Sequence, residues 1–301
     1  ADLDAVGSSV AVCCIARKKG KLCRIVIDPV KNSSQLLIDR MKNEPEYKNA
    51  FITPQEAMLQ ADGDYNTVTA LFNEGKAAAI IGGPCNRVAV IDHHRRAATY
   101  IQNADLMFHE PYASSVCELM SEVLQEVVET EDIMRCEAEA MLSGIVLDTK
   151  NFTIRTGERT FDAAAFLRRA GADTTEVKKL LQNDMEHTVA RYKILQSAQL
   201  YRGNIAVAVP QTPQDRVVVA QAADELLNIV GISTSFVLFP DGEQIIISGR
   251  SMGDTNVQVI LEQLGGGGNA AAAGGQVAGK TLEQVAVELT QAIDRYLEED
   301  S

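Results

Sequence analysis

One apolar run that ends in a cluster of polar side chains constrains the fold of this chain more than any other feature. Residues 88–91 (Val-Ala-Val-Ile) are typical of a buried strand. They are followed by Asp92, His93, His94, Arg95 and Arg96. In an open α/β sheet, ligands gather beyond the carboxyl ends of the strands. Imidazole and carboxylate groups bind Mn²⁺, Fe²⁺ or Zn²⁺, and guanidinium groups bind phosphate. The run predicts either such a site or an ordinary polar surface loop.

The first half of the chain alternates between strand and helix patterns. Strands are predicted at 23–27 and 144–147, and helices at 10–16, 34–41, 54–59, 116–128, 137–142 and 160–170. Strand–helix–strand units favour parallel pairing with right-handed crossovers. The predicted fold class is therefore α/β, with a parallel sheet in the first half.

Acidic residues stand at two other positions where metal ligands are plausible. Asp2 and Asp4 precede the first predicted helix, and Asp148 follows the predicted strand at 144–147. A pair of carboxylates could hold metal ions. The alternative for the first pair is a helix N-cap with a second acid beside it.

The second half predicts a separate, smaller α+β domain of about a hundred residues. A long helical connector over 174–200 leads to strands at 205–209 and 217–219 and a helix at 220–229. The turn at 240–242 (Pro-Asp-Gly) joins two strands into a hairpin. Helices follow at 257–264 and 281–297. Between them, the glycine run at 265–268 either lets a ligand approach the backbone amides or forms a flexible linker.

Composition disfavours several classes of protein. The net charge of −13 disfavours long nucleic acid, because phosphate contacts drive its binding. With no Trp and 5% aromatic residues, a stacking surface for single strands is also disfavoured. Six cysteines without a Cys-x-x-Cys pair fit a reduced, cytoplasmic protein. No apolar run reaches the roughly 20 residues of a membrane helix. The abrupt start at Ala1 suggests a piece of a longer protein.

Several motifs, taken in order, resemble the DHH phosphoesterase superfamily. They are the Asp-x-Asp-Ala-x-Gly start, Asp92-His93-His94, the Asp-Thr-Lys-Asn-Phe run at 148–152 and the late glycine run. Residues 90–96, 110–115, 155–157, 161–173 and 248–251 are similar to the GdpP-type cyclic di-AMP phosphodiesterases. The resemblance implies a DHH domain at 1–173, a helical linker at 174–200 and a DHH-associated C-terminal domain at 201–301. The active site would lie in the cleft between the domains.

The resemblance also implies a two-metal phosphodiesterase that hydrolyses cyclic di-AMP to pApA. Asp2 and Asp148 would hold one Mn²⁺, and Asp4 and His93 the other. His94 would act near the leaving group, and Asp92 would orient a neighbouring imidazole. Substrate would be bound by Arg95, Arg96, Ser114, Ser115, Arg155, Arg250, Ser251, Gly265, Gly266, Gly267, Gly268 and Asn269. A homodimer is compatible with this assignment, and full-length members of the subfamily are membrane-anchored with this part in the cytosol.

Two alternatives remain open. One is the oligoribonuclease or pAp-phosphatase branch, which prefers linear dinucleotides, and the other is a nucleotide-binding module with a degraded catalytic centre.

Three departures from the family pattern favour weaker activity. The family's metal-binding His stands four residues before Asp2, a position that lies before the start of this sequence. The family's bridging Asp is absent from residues 60–87, where only Asp62, Asp64 or Glu74 could replace it. Asn269 stands where the family has a His. We therefore expect weakened metal binding.

Overall fold

The computed structural model describes residues 1–30, 32–61, 68–71, 87–95, 100–101, 103–182 and 184–299. The chain divides into two compact units, Ala1–Gln182 and Asn183–Ser301. Within the described ranges, no helix combines the length and the apolar character needed to cross a membrane.

The first unit combines parallel strands with helices. Its helices are α1 (Leu3–Lys18), α2 (Gln35–Lys42), α3 (Pro54–Ala61), α4 (Val116–Val127), α5 (Arg135–Asp148), α6 (Glu158–Arg169) and α7 (Thr174–Leu180), with a 3₁₀ turn at Thr130–Asp132. Its strands are β1 (Ile25–Val26), β2 (Phe51–Ile52), β3 (Val68–Leu71), β4 (Arg87–Asp92) and β5 (Leu106–His109). β1 pairs with β2, and β3, β4 and β5 form a second sheet in that order. All these pairings are parallel, which confirms the predicted fold class.

Glycines let α1, α4 and α5 pack closely in the core of the first unit. A Cβ on Gly144 of α5 would lie 2.6 Å from Cys117 Sγ and 2.8 Å from Asp4 Cα. A Cβ on Gly7 of α1 would lie 2.6 Å from the Ala140 carbonyl oxygen. The three helices therefore meet beside the first turn of α1, where Asp4 lies.

The strand predicted at 144–147 was wrong, because these residues belong to α5. Met141, Leu142 and Ile145 are all buried, so this helix has little polar face to reveal its period. A short, fully buried apolar run cannot be assigned to helix or strand from periodicity alone. Asp148 thus ends a helix and does not follow a strand.

The strand predicted at 217–219 was also wrong, because three consecutive valines do not by themselves distinguish a strand from a helical turn. These valines lie in the first turn of α9 (Arg216–Leu226), where Asp215 caps the helix by accepting hydrogen bonds from the amides of Val217 and Val218. The region 174–200 is likewise not one helix. It comprises α7, then α8 (Met185–Gln196) and the start of β6 (Ala198–Tyr201).

The second unit is built on one six-stranded sheet. Its remaining elements are β7 (Ile205–Ala208), β8 (Thr234–Asp241), β9 (Gln244–Ser251), α10 (Val257–Glu262), β10 (Gly267–Gly268), β11 (Ala272–Ala278) and α11 (Leu282–Glu299). The strand order is β10-β11-β9-β8-β7-β6, and only β7 and β8 pair in parallel. Alternate residues of β8 enter opposite cores: Phe236 and Leu238 pack with α10 and α11, whereas Val237 and Phe239 pack with α8 and α9.

Candidate metal centre

Three side chains from distant parts of the sequence meet in the first unit. Asp4 comes from the first turn of α1, His93 follows β4 directly, and Asp148 ends α5. Each offers a ligand atom, and these atoms all lie within 4.8 Å of one another. His93 Nε2 is 3.2 Å from Asp148 Oδ2 and 3.9 Å from Asp4 Oδ2. Of the sequence-predicted ligands, these three are brought together.

The Asp4 carboxylate is fixed by the N-terminus of α4. Its Oδ2 accepts a hydrogen bond from the Val116 amide at 2.9 Å, and its Oδ1 accepts one from the Cys117 amide at 2.8 Å. Burial and the charge of Asp148 nevertheless raise the pKa of Asp4 to about 6, against the opposing effect of His93 and the two amides. The site is therefore short of positive charge.

His93 presents an unpartnered nitrogen to the two carboxylates. Its Nδ1 lies 3.2 Å from the Ala113 carbonyl oxygen, which only accepts, so Nδ1 carries the proton. Its Nε2 is buried and makes no hydrogen bond to any described residue, although it lies 3.2 Å from Asp148 Oδ2. Burial lowers the pKa of His93, but contact with Asp148 and the charge of Asp4 outweigh it, and the pKa is raised.

These residues fit a divalent cation. In the neutral tautomer that Ala113 selects, a lone pair on Nε2 faces two carboxylates, an arrangement that repels unless a positive charge lies between them. One imidazole and two carboxylates form a donor set typical of Mn²⁺, Fe²⁺ or Zn²⁺. A backbone carbonyl that orients the imidazole is the usual outer contact of a metal-bound histidine.

Asp92 and His94 form a second pair beside the first three residues. Asp92 Oδ1 accepts a hydrogen bond from the His94 amide at 2.9 Å and lies 2.7 Å from His94 Nδ1. The buried Asp92 thereby orients a half-exposed imidazole, whose ring meets that of His93 edge-on at 4.5 Å. His109 Nε2 donates to the His94 carbonyl oxygen at 2.7 Å and holds the segment further.

Asp2 lies outside this three-residue group. It is the N-cap of α1, and its Oδ1 accepts a hydrogen bond from the Ala5 amide at 3.0 Å. The sequence offered both the capping and the metal-binding interpretation, and the structure shows the first. Asp62, Asp64 and Glu74 lie outside the described residues.

Ser114 and Ser115, predicted to contact substrate, have buried side chains with structural contacts. The Ser115 hydroxyl caps α4 by accepting from the Glu118 amide at 3.1 Å. Ser114 Oγ and Thr160 Oγ1 each donate to Glu118 Oε2 at 2.6 Å. These contacts fix the start of α4, whose amides hold Asp4, and a contact of the serines with substrate stays a prediction.

The turn after Asp148 has an unusual backbone. Lys150, Asn151 and Phe152 have φ values of 45°, 61° and 62°. A left-handed backbone of this kind costs roughly 1–2 kcal/mol for a residue other than glycine. The buried Thr149 holds the turn, since its hydroxyl accepts from the Phe152 amide at 3.0 Å. Strain of this kind concentrates at functional sites.

The predicted substrate-binding arginines of the first unit differ in position. Arg155 follows this turn, is exposed and also has a positive φ of 52°. Arg95 is exposed beside His94. Arg96 lies outside the described residues.

Two predicted substrate residues of the second unit, Arg250 and Ser251, are engaged by other residues of that unit. Arg250 pairs with Asp224, Nε to Oδ1 at 3.1 Å, and its Nη1 donates to Ser248 Oγ. The Ser251 hydroxyl is buried and accepts from the amides of Gly253 and Thr255.

The glycine run is ordered by its strand and helix contacts. Gly265 follows α10 with φ +76°. A Cβ on Gly266 or Gly268 would lie 2.5 or 2.4 Å from a carbonyl oxygen, whereas Gly267 has open space. Asn269 Oδ1 accepts from the amides of Ala271 and Ala272 and closes the turn between β10 and β11. The run is therefore neither a flexible linker nor a link between two helices.

Sequence reasoning missed the groups that orient the metal ligands. They are the Ala113 carbonyl and the Val116 and Cys117 amides. Backbone groups leave no mark in residue identity. The N-cap Ser115, read together with the helix at 116–128, could have indicated two free amides at that helix end.

Comparison with known proteins identifies the family. The family model "DHH family, N-terminal domain" matches residues 1–145, and the "DHHA1 domain" model matches residues 203–299. The chain belongs to the DHH family.

Individual relatives agree with this assignment. The chain is 39% identical to the cyclic-di-AMP phosphodiesterase GdpP of Bacillus subtilis, over 99% of this chain and 46% of that protein. It is 38% identical to the cyclic-di-AMP phosphodiesterase PdeA of Listeria monocytogenes, over 98% of this chain and 46% of that protein. The chain thus spans about half the length of these relatives. An exopolyphosphatase-related protein from Bacteroides fragilis shares the fold, with a TM-score of 0.79 at 21% identity over 98% of this chain and 89% of that one.

Proposed function

We propose that this DHH-family chain is a metal-dependent phosphodiesterase that hydrolyses cyclic di-AMP to pApA. The observation that carries the proposal is the buried, unpartnered Nε2 of His93 between the carboxylates of Asp4 and Asp148. The substrate follows from the relatives, two of which are named cyclic-di-AMP phosphodiesterases.

Asp4, His93 and Asp148 would hold the metal ion, and Mn²⁺ suits their mixed donors. A divalent ion bound there would neutralise negative charge on the phosphoryl oxygens. It would also lower the pKa of a water molecule, which would serve as the nucleophile. The geometry supports one such position. A second ion, implied by the resemblance, would need Asp2 or a residue outside the described ranges.

The chain's own residues supply orientation and proton transfer. The Ala113 carbonyl oxygen keeps the proton of His93 on Nδ1, so that the lone pair on Nε2 can coordinate the metal ion. Asp92 holds His94 by its Nδ1, which leaves His94 Nε2 as the atom that protonates the leaving oxygen. Arg95 supplies positive charge for the phosphate beside it.

Turnover of cyclic di-AMP by the 301-residue chain, with and without Mn²⁺, tests the proposal. We expect pApA in chromatography only with Mn²⁺, and none from His93→Ala. Linear pApA and pAp, run as competing substrates, separate the oligoribonuclease and pAp-phosphatase alternative. A folded protein that binds Mn²⁺ and cyclic di-AMP without forming pApA would overturn the proposal and select the binding-module alternative.

A further inference from the structure

The first unit contains an apolar cavity beside the turn that follows Asp148. Its volume is about 350 Å³, and residues of α5, of that turn, of α6 and of α7 line it. Eight of the twelve described residues that line the cavity are apolar. Sites for small molecules are mostly apolar clefts of roughly 300–1,000 Å³ with a few polar groups. The cavity therefore has the size and the lining of a site for a small ligand.

Two stacked phenylalanines belong to the lining. The ring centroids of Phe152 and Phe161 are 5.7 Å apart, and the ring planes are inclined by 15°. Phe161 is 57% exposed, whereas Phe166 and Leu167 of the same helix are buried. The stacked pair thus leaves apolar surface in water, and the apolar part of a ligand would cover it.

Two basic side chains of the lining have no acidic partner in the described part of the chain. Arg168 lies in the last turn of α6 and Lys178 in the last turn of α7, and both are exposed. Arg168 donates a hydrogen bond to the Ala172 carbonyl oxygen. The neighbouring acids Asp173 and Glu176 form ion pairs with other basic residues. In a chain with a net charge of −13, two such cations at one apolar cavity favour an anionic ligand.

The cavity touches the segment that carries Asp148 but is separate from the candidate metal centre. Val146 and Asn151 line the cavity and flank Asp148 in the sequence, and the Asn151 amide donates to the Val146 carbonyl oxygen at 2.8 Å. Asp4, His93 and Asp148 themselves do not line the cavity. A ligand in the cavity would therefore contact the end of α5 without contacting the three proposed metal ligands.

We propose that this cavity binds a small amphipathic anion, a molecule with one anionic group and an apolar tail, such as a medium-chain fatty acid. The tail packs against Phe152 and Phe161, and the anionic group pairs with Arg168 and Lys178. A nucleotide fits the cavity less well, because its sugar and phosphate groups would lie against an apolar lining. The inference goes beyond the proposed function, since the binding requires neither a metal ion nor cyclic di-AMP.

Calorimetric titration of the full chain with decanoate tests the contribution of charge. We expect saturable one-to-one binding, which Arg168→Gln and Lys178→Gln each weaken about two- to fivefold, because each removes one partly exposed ion pair. Decanol, which has the tail without the charge, should bind about fivefold more weakly or worse. Arg169→Gln is the matched control, because Arg169 is an exposed base in the same helical turn but does not line the cavity. Its affinity for decanoate should equal that of the unchanged chain.

A variant that fills the cavity tests the contribution of the apolar lining. Ala165 lines the cavity and is exposed, so Ala165→Leu adds apolar volume there without disturbing the core. Because the added side chain occupies space that the tail needs, decanoate affinity should fall by at least about tenfold. Arg168, Lys178 and Ala165 are all exposed, and circular dichroism should show that their variants fold like the unchanged chain.

Three results would overturn the inference. The first is equal affinity for decanol and decanoate, which would exclude an anionic ligand. The second is unchanged decanoate affinity in Ala165→Leu, which would place the binding elsewhere. The third is a dimer in sedimentation that Phe161→Ser dissociates, together with no binding of decanoate, which would assign this face to a second copy of the chain.

Discussion

At the scale of single residues, Asp4 combines two tasks that normally fall to different side chains. Both of its oxygens accept amides at the start of α4, where the helix carries partial positive charge. Its carboxylate also faces His93 Nε2 and Asp148. The position of one proposed metal ligand is thus tied to the packing of α1 against α4.

Replacing Asp148 should lower the affinity for Mn²⁺ while leaving the stability of the metal-free protein nearly unchanged. Its charge contributes to the raised pKa of Asp4, which means that the two carboxylates repel when no cation is bound. Asp148→Asn keeps the shape and removes both that repulsion and the favourable contact that raises the pKa of His93. The two effects oppose each other, so the melting temperature in EDTA should change little. Mn²⁺ affinity should fall by at least about 10-fold, as a lost ligand costs no less than a lost outer contact. Calorimetric titration and thermal unfolding measure the two quantities.

Asp2→Asn is the matched control for this variant, because asparagine is an equally good N-cap. Its effect on Mn²⁺ affinity should be the smaller one. An Asp2→Asn protein that loses more affinity than Asp148→Asn would contradict the three-residue site.

A buried ion pair elsewhere in the first unit should matter more than an exposed one of similar geometry. Glu137 is fully buried and accepts hydrogen bonds from Arg17, from the Tyr47 hydroxyl at 2.6 Å and from the Met134 amide. Glu137→Ala should cost on the order of 3 kcal/mol of unfolding free energy, because it removes the charged acceptor of Arg17 and Tyr47 and leaves them only the carbonyl oxygens of Asp132 and Val10. Urea denaturation measures this cost.

Glu122→Ala removes an exposed carboxylate that accepts hydrogen bonds from Arg159, from Nε at 2.7 Å and from Nη2 at 2.9 Å. We expect a loss of about 1 kcal/mol or less, because water solvates both exposed groups. Equal losses for the two variants would show that burial does not decide the value of these contacts.

At the scale of elements, the sequence predicted those with a clear period or a clear end. β4, α2, α4, α6 and the β8–β9 hairpin lie close to their predicted bounds, because capping residues, alternation or a turn sequence marks them. α5 was divided into helix and strand because its buried residues hide the period. Its Gly144 looked unfavourable for a helix, and only the packed structure shows that it faces Asp4 and Cys117.

Gly144→Ala should destabilise the protein even though alanine favours helix by about 1 kcal/mol. The new methyl group would meet Asp4 Cα and Cys117 Sγ inside normal contact distance. Overpacking of this kind costs about 1–3 kcal/mol, and a displaced Asp4 should also bind Mn²⁺ more weakly. Chemical denaturation and metal titration measure the two effects.

Gly157→Ala provides the control, because a Cβ at that position meets nothing within 4 Å and its φ is −125°. Its stability should fall by about 1 kcal/mol or less, because glycine is preferred to alanine at an N-cap, and its Mn²⁺ affinity should not change. If Gly144→Ala were as stable as Gly157→Ala, close packing would not be the reason for the glycine.

At the scale of the whole molecule, the chain consists of two units with separate cores, and each matches its own family model. The motif residues of the first unit predicted the meeting of Asp4, His93 and Asp148, since side chains carry that chemistry. Sequence offered the cap as one of two roles for Asp2 without deciding between them. It could not predict that Ser114 and Ser115 are buried, because burial depends on packing between distant elements.

Metal binding should therefore protect one unit and not the other. A ligand that binds only the folded state stabilises it by about 2.7 kcal/mol at 100 times its dissociation constant. All three described ligands lie in the first unit, on α1, after β4 and on α5. Hydrogen–deuterium exchange with Mn²⁺ should slow in peptides from α1, the start of α4 and α5, and should not change in β8 and β9. His93→Ala should remove the protection, because His93 Nε2 is the proposed ligand atom that faces both carboxylates. Equal protection in β8 and β9 would mean that the ion is held by residues of both units, and the three-residue site would then be only part of the metal centre.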